Sequence, residues 1–107
     1  MTPRVTAKVA DAVIERDIRV AGGCVPKYLG AEGECADQYG NPVNPRNRLS
    51  LRLNHVRQFA GGARRSEVRW MNAGCWRHNV QGWELTHVEE LREYLERVAP
   101  LSEGAVA

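Results

Sequence analysis

Aromatic side chains make up only 7% of this 107-residue sequence, with one Phe, three Trp and three Tyr. A core so short of large rings buries little apolar surface, and small domains of this kind commonly add a metal or disulfide staple. Cysteine is scarce too. Three cannot all pair within one chain, so a disulfide framework is a poor fit. Nowhere does the sequence approach the roughly 18 consecutive apolar residues of a membrane span. The opening stretch, MTPRVTAKVADAVIERD, is interrupted by charges and holds no apolar signal core. The resulting expectation is a single domain over residues 1–107, with no membrane partner and a cytoplasmic setting.

Charge of one sign is missing from a long stretch. Between Arg46 and Arg77 stand Arg46, Arg48, Arg52, Arg57, Arg64, Arg65, Arg69 and Arg77, against one acid, Glu67. This segment carries +7 within a chain whose net charge is only +2, so the flanks are acidic. All eight cations are Arg, whose planar guanidinium suits bidentate phosphate contact. They alternate with Asn, Gln, Phe59, Trp70 and Trp76, a pattern that favours a polyanion surface over a merely solvated, charge-rich loop.

Periodicity places these residues on elements. Val5, Val9, Ala12 and Val13 predict a helix over residues 4–16, ending near Asp17, with Gly22-Gly23 as a break. From Cys24 to Pro45 the chain reads as loop, because the run YGNPVNP suits neither a helix nor a central strand. Alternation over Leu49–Asn54 predicts a half-buried strand, Gln58–Ser66 a connector, and Val68–Met71 a short returning strand. Cys75–Gln81 reads as a helix of one or two turns closed by Gly82. Thr86-His87-Val88-Glu89 has the form of a capping box. The helix after it is expected to bury Val88, Leu91, Tyr94, Leu95 and Val98 and to stop at Pro100, leaving residues 101–107 as a disordered tail. His87 is expected to face solvent, and Trp76 and Trp83 either to pack the small helix or to stack on bases.

The three cysteines fall at positions that suit a metal. Cys24 and Cys35 flank ten residues of Gly-rich loop, and Cys75-Trp76-Arg77-His78 follows forty residues later. A C-x-x-H pair at a helix start can converge on one ion. With Cys24 and Cys35 it would form a tetrahedral Cys₃His zinc site. Buried free thiols, or a Cys24–Cys35 disulfide, are the competing readings of the same residues.

The predicted first strand ends in Leu53-Asn54-His55-Val56, and Cys75-Trp76-Arg77-His78-Asn79 comes about twenty residues later. In this order and spacing, over about residues 13–98, the chain resembles the HNH (ββα-metal) nucleases, and within them the phage recombination endonuclease VII-like group. The resemblance implies a small α+β fold: a zinc-stapled, treble-clef-like ββα-metal finger flanked by N- and C-terminal helices. It implies a metal-dependent DNA endonuclease of a bacterial or phage-infected cell. His55 would be the catalytic base, Asn54 and Asn79 would hold a catalytic Mg²⁺ or Mn²⁺, and structural Zn²⁺ would sit on Cys24, Cys35, Cys75 and His78. Asn54 stands where that group usually has Asp, and His78 where it has Cys.

Elementary chemistry is consistent with such a reading. Hydrolysis of a phosphodiester needs a base for water and a cation on the phosphate oxygens, and imidazole suits the first task. Arg52, Arg57, Arg64, Arg65, Arg69 and Arg77 would grip the DNA backbone. Because Asn54 is neutral, a catalytically impaired DNA- or RNA-binding module, or a protein-interaction module, on the same scaffold is the alternative.

Overall fold

The computed structural model describes residues 6–55 and 68–103, apart from the side chains of His55 and Glu103. It is a small α+β fold. Helix α1 (Ala7–Ala21) and the one-turn α2 (Val25–Tyr28) precede an antiparallel pair, β1 (Leu51–His55) and β2 (Met71–Cys75). β2 runs directly into α3 (Trp76–Val80), followed by α4 (Trp83–Thr86), α5 (Val88–Arg97) and α6 (Ala99–Glu103). No helix among the described residues is long and apolar enough to cross a membrane.

Helix α1 starts where the Thr6 side chain accepts from the Val9 N–H, satisfying one of the donors that a helix start leaves open. It runs past the expected end near Asp17 to Ala21. Gly22, at φ 74°, takes the left-handed turn, and the Gly22 and Gly23 N–H groups bond back to Ile18 and Asp17. An acid within a helix usually marks a solvated surface, whereas Asp17 is wholly buried.

The strand pair has the register Leu51↔Cys75, Leu53↔Ala73, Asn54↔Asn72 and His55↔Met71. β1 begins two residues later than expected. Leu49, 90% exposed, belongs to a 3-10 turn whose first N–H groups are taken up by Asn47. β2 likewise lies downstream of the expected 68–71, which is mostly a second 3-10 turn, Val68–Trp70. All five residues of β2 are buried. At Gly74 an added Cβ would stand 3.4 Å from the Pro26 ring, so small residues here let α2 lie close on the strand.

Two apolar clusters support this frame. Val13 of α1 packs with Leu51, Val68, Met71 and Ala73, while Ala21 and Val25 pack with Leu91, Tyr94, Leu95 and Val98 of the C-terminal helices. The expected capping box does not form. Thr86 is absorbed as the last residue of α4, its hydroxyl donating to the Trp83 carbonyl, and α5 starts from His87 without a side-chain cap. His87 is half-buried, its ring stacked on Trp83 at 4.3 Å. Pro100 does not end the ordered chain either. It sits at the second position of α6, where its missing N–H breaks no helical bond, and Ser102 beyond it is buried. The expected tail therefore does not begin at residue 101, and residues 104–107 lie outside the described ones.

Candidate metal centre

Gly22 and Gly23 turn the chain out of α1 and deliver Cys24. Gly23 has φ 113°, and a Cβ there would stand 1.8 Å from the Pro45 carbonyl oxygen, so only glycine allows the loop to lie against this turn. Cys35 sits on a second loop, shaped by the Ala36–Pro42 bridge and by Asp37, whose carboxylate accepts from the Tyr39 and Asn41 N–H groups. Cys75 closes β2 and caps α3, its sulfur accepting from the His78 N–H at 3.5 Å. The Cys24 sulfur accepts from the Cys75 N–H at 3.3 Å. One turn of helix then carries His78 back over the three sulfurs.

The four ligand atoms lie within 4.8 Å of one another, and all four residues are buried. His78 Nδ1 stands 3.1 Å from the Cys75 sulfur, 3.4 Å from that of Cys24 and 3.9 Å from that of Cys35. In a tetrahedral zinc site, with Zn–S about 2.3 Å and Zn–N about 2.0 Å, sulfur and nitrogen ligands stand about 3.5 Å apart. The observed distances bracket that value. His78 Nε2 faces the carbonyls of Glu32 and Gly33, each at 3.1 Å. Carbonyls only accept, so Nε2 carries the proton and Nδ1 is left with its lone pair toward the sulfurs. This outer hydrogen bond is the one that fixes a metal-binding imidazole. The Cys₃His cluster can hold a structural metal ion such as zinc, and all three cysteines are free.

Its electrostatics suit a cation. The Cys75 thiol is drawn down to about 4, chiefly by the hydrogen bond it accepts from the Cys24 thiol and also by the N–H groups of His78 and Ala36. Cys24 is pushed up by donating that bond and by burial. Burial, with the Cys75 charge behind it, lifts Cys35 to about 11. The three thiols are thus unequal, with Cys75 giving up its proton most readily. A divalent ion would draw all three into the thiolate form, so its uptake must release protons.

The other expected site residues fall elsewhere. Arg77 is half-buried, its guanidinium packed on Gly33 and donating to the Glu34 carbonyl at 3.2 Å; its own N–H bonds to Ala36. It ties α3 to the Cys35 loop. Asn54 donates its amide to the buried Asn72 opposite, at 2.9 Å. It lies three residues along the ladder from the level of Cys75, about 10 Å away. Asn79 is half-buried on α3, Arg52 is exposed on β1, and the Arg69 guanidinium lies over the Trp70 ring. Arg57, Arg64 and Arg65 lie outside the described residues, as does the side chain of His55. Among the described residues the Cys₃His group is the one cluster of His, Cys, Asp and Glu that could hold a metal.

One buried group escaped the sequence reading. Arg16 and Asp17 form a bidentate ion pair with distances of 2.8 and 3.1 Å. Arg16 also donates to the carbonyls of Val68 and Met71 and to the Ser102 hydroxyl, and Asp17 accepts from the Ala73 N–H and the Tyr94 hydroxyl. All five guanidinium N–H donors are engaged. A Glu-Arg-Asp run at the end of a predicted helix offered no signal, because surface helices carry the same residues. Comparison of the chain with protein-family models, with curated proteins and with solved structures found no match.

Proposed function

We propose that this chain is a zinc-stapled, HNH-type nucleic-acid-binding domain whose chemistry is metal-dependent cleavage of DNA phosphodiester bonds. One observation carries the reading. A two-strand ladder, its first strand ending in Asn54-His55, leads directly into a helix that starts with the Cys75–His78 half of a Cys₃His cluster. That is the order in which a ββα-metal finger needs its parts. Zinc at the cluster is structural. His55, at the far end of the ladder, would take the proton from the attacking water, and the amide oxygens of Asn54 and of Asn79 on α3 would offer ligands to a Mg²⁺ or Mn²⁺. Arg69 is exposed beside that end, and Arg52 is exposed nearer the Cys75 end, opposite Gly74, where each would meet phosphate.

The test joins zinc analysis to plasmid nicking with Mg²⁺ or Mn²⁺. The proposal expects one zinc per chain and nicking that His55→Ala reduces roughly 10²–10⁴-fold, with zinc content unchanged. A parent that cuts no DNA, or a His55→Ala protein that cuts as well as the parent, overturns the catalytic assignment.

A second reading, binding without cleavage, is favoured by a specific feature: Asn54 is neutral and engaged by Asn72. Hard cations prefer charged oxygen ligands. Under this reading Asn54→Asp creates nicking in an inert parent. In an active parent it raises activity at limiting Mg²⁺.

A further inference from the structure

The buried Arg16 does more than pair with Asp17. One of its terminal nitrogens donates to the Val68 carbonyl at 2.7 Å, and the other to the Met71 carbonyl at 2.6 Å. These carbonyls bracket two residues, Arg69 and Trp70, at the end of the 3-10 turn that enters β2. Val68 and Met71 are buried, Arg69 is exposed and Trp70 is half-buried. A turn pinned at both ends by one fully engaged guanidinium holds the pair between them in a fixed place.

That place matters because of the strand register. Met71 is the ladder partner of His55, so the Trp70 backbone lies within roughly 10 Å of the His55 backbone. The Arg69 guanidinium lies 4.9 Å from the centre of the Trp70 ring, in cation–π contact. Among the described residues the Trp70 ring is not part of either apolar cluster, whose members at this turn are Val68 and Met71. An indole serves well as a platform for a nucleobase, and an arginine beside it serves for the adjoining phosphate.

We infer that Trp70, carried with Arg69 on the turn that Arg16 pins, stacks on an unpaired base and makes this domain prefer single-stranded or locally unpaired DNA to intact duplex. The inference rests on the nucleic-acid reading above and gives that reading a substrate class. In intact duplex the faces of each base are covered by its neighbours, so only an unstacked base can reach the indole. Duplex can then use the arginines alone. Arg16 is a positioning residue in this scheme, and Trp70 touches the substrate.

The experiment measures fluorescence anisotropy of a short labelled DNA strand, alone and annealed to its complement, at one fixed salt concentration. The parent binds the single strand more tightly. Trp70→Leu, which keeps apolar bulk and removes the ring, weakens single-strand binding roughly 5- to 150-fold, the range that one lost base stack implies. Duplex binding changes less than about twofold, because phosphate contacts are untouched. Trp70→Phe retains most of the single-strand affinity, and zinc content is the same in all three proteins. A parent that binds both forms alike, with Trp70→Leu no different, overturns the inference and leaves the nucleic-acid reading standing. Equal losses on both forms at unchanged zinc content also overturn it, since stacking is not then the cause. A parent that binds neither form removes the nucleic-acid reading itself, and this inference with it.

Discussion

Two polar clusters grip the edge of β2 that faces away from β1, and they are built in opposite ways. At one end the Cys75 N–H bonds to the Cys24 sulfur and the strand runs into the Cys₃His group. In the middle and at the other end, Asp17 takes the Ala73 N–H and Arg16 holds the Met71 carbonyl. The Arg16–Asp17 network is complete within the chain: charge is balanced, and Tyr94 and Ser102 take up further hydrogen-bonding capacity. The cysteine cluster is not complete in this sense. It gathers three sulfurs and an imidazole lone pair that converge on one point. The first is a finished joint, and the second is a socket whose full stabilisation depends on an added ion.

Breaking the socket should therefore have the larger effect. With zinc bound, apparent stabilisation of about 10–16 kcal/mol is typical of structural sites of this type, as large as the roughly 5–15 kcal/mol net stability of a whole domain. A strong chelator, or Cys75→Ser, is expected to abolish the cooperative unfolding transition seen by circular dichroism. Stoichiometric zinc should restore it in the chelated protein but not in the variant. A chelated protein that unfolds at the same urea midpoint as the untreated one would show that the cluster is only a set of packed thiols.

Breaking the finished joint comes next. Asp17→Ala leaves the Arg16 charge buried without its partner, and such losses cost about 3–5 kcal/mol. The urea midpoint should fall accordingly while zinc stoichiometry stays at one. The double replacement Arg16→Met, Asp17→Leu sharpens the contrast. A simple buried ion pair can be exchanged for apolar residues at little cost. Here the Val68 and Met71 carbonyls, the Ala73 N–H and the Tyr94 hydroxyl would all lose partners, so the double variant should recover only part of the loss. Full recovery would mean that the network contributes as a charge pair alone.

The same contrast explains what could be read from the sequence. Cysteine has few uses in a chain with no disulfide framework, and a C-x-x-H pair at a helix start has a definite geometry, so Cys24, Cys35, Cys75 and His78 could be grouped from spacing alone. Arg16 and Asp17 gave no such sign. Their partners lie 52 to 86 residues away in the chain, and locally they look like the charged end of a surface helix. The expected end of α1 near Asp17 therefore falls short of its actual end at Ala21. The small α+β architecture, with a strand pair leading into a short helix, followed from alternation and from the Gly and Pro breaks. Register did not, because the bulk of Val68 and Trp70 suggested a strand while Ala73 and Gly74, chosen for close packing, did not. Thr86-x-x-Glu89 fits the capping pattern, yet the preceding turn of helix claims the threonine. A catalytic cation on Asn54 and Asn79 is an expectation from the resemblance alone, and neither residue carries a charge by which geometry could single it out.

The smallest effect concerns Glu84, which shows how unevenly the socket side is satisfied. It is only 7% exposed, and its Oε1 is the one buried side-chain oxygen or nitrogen without a partner among the described residues. Burial lifts its carboxyl from 4.5 to about 7, against a smaller opposing pull from its own backbone N–H. The folded state thus holds this proton more tightly than the unfolded chain does. Between pH 4.5 and 7 the folded state binds more protons, so stability falls as pH rises through that window. Below it the contribution is fully present, and above it the carboxylate is buried at a penalty on the order of 3 kcal/mol. Zinc binding by thiolates has the opposite dependence, since protons compete with the metal. The parent's own pH profile mixes the two, and the difference between parent and Glu84→Gln separates them. The amide cannot ionise, so the variant should match the parent near pH 5 and exceed it at pH 8, the gap opening between those values. Urea midpoints of zinc-saturated parent and variant across that range measure it. A gap of constant size would mean that Glu84 finds a partner in solution and that the orphaned oxygen is not a source of strain.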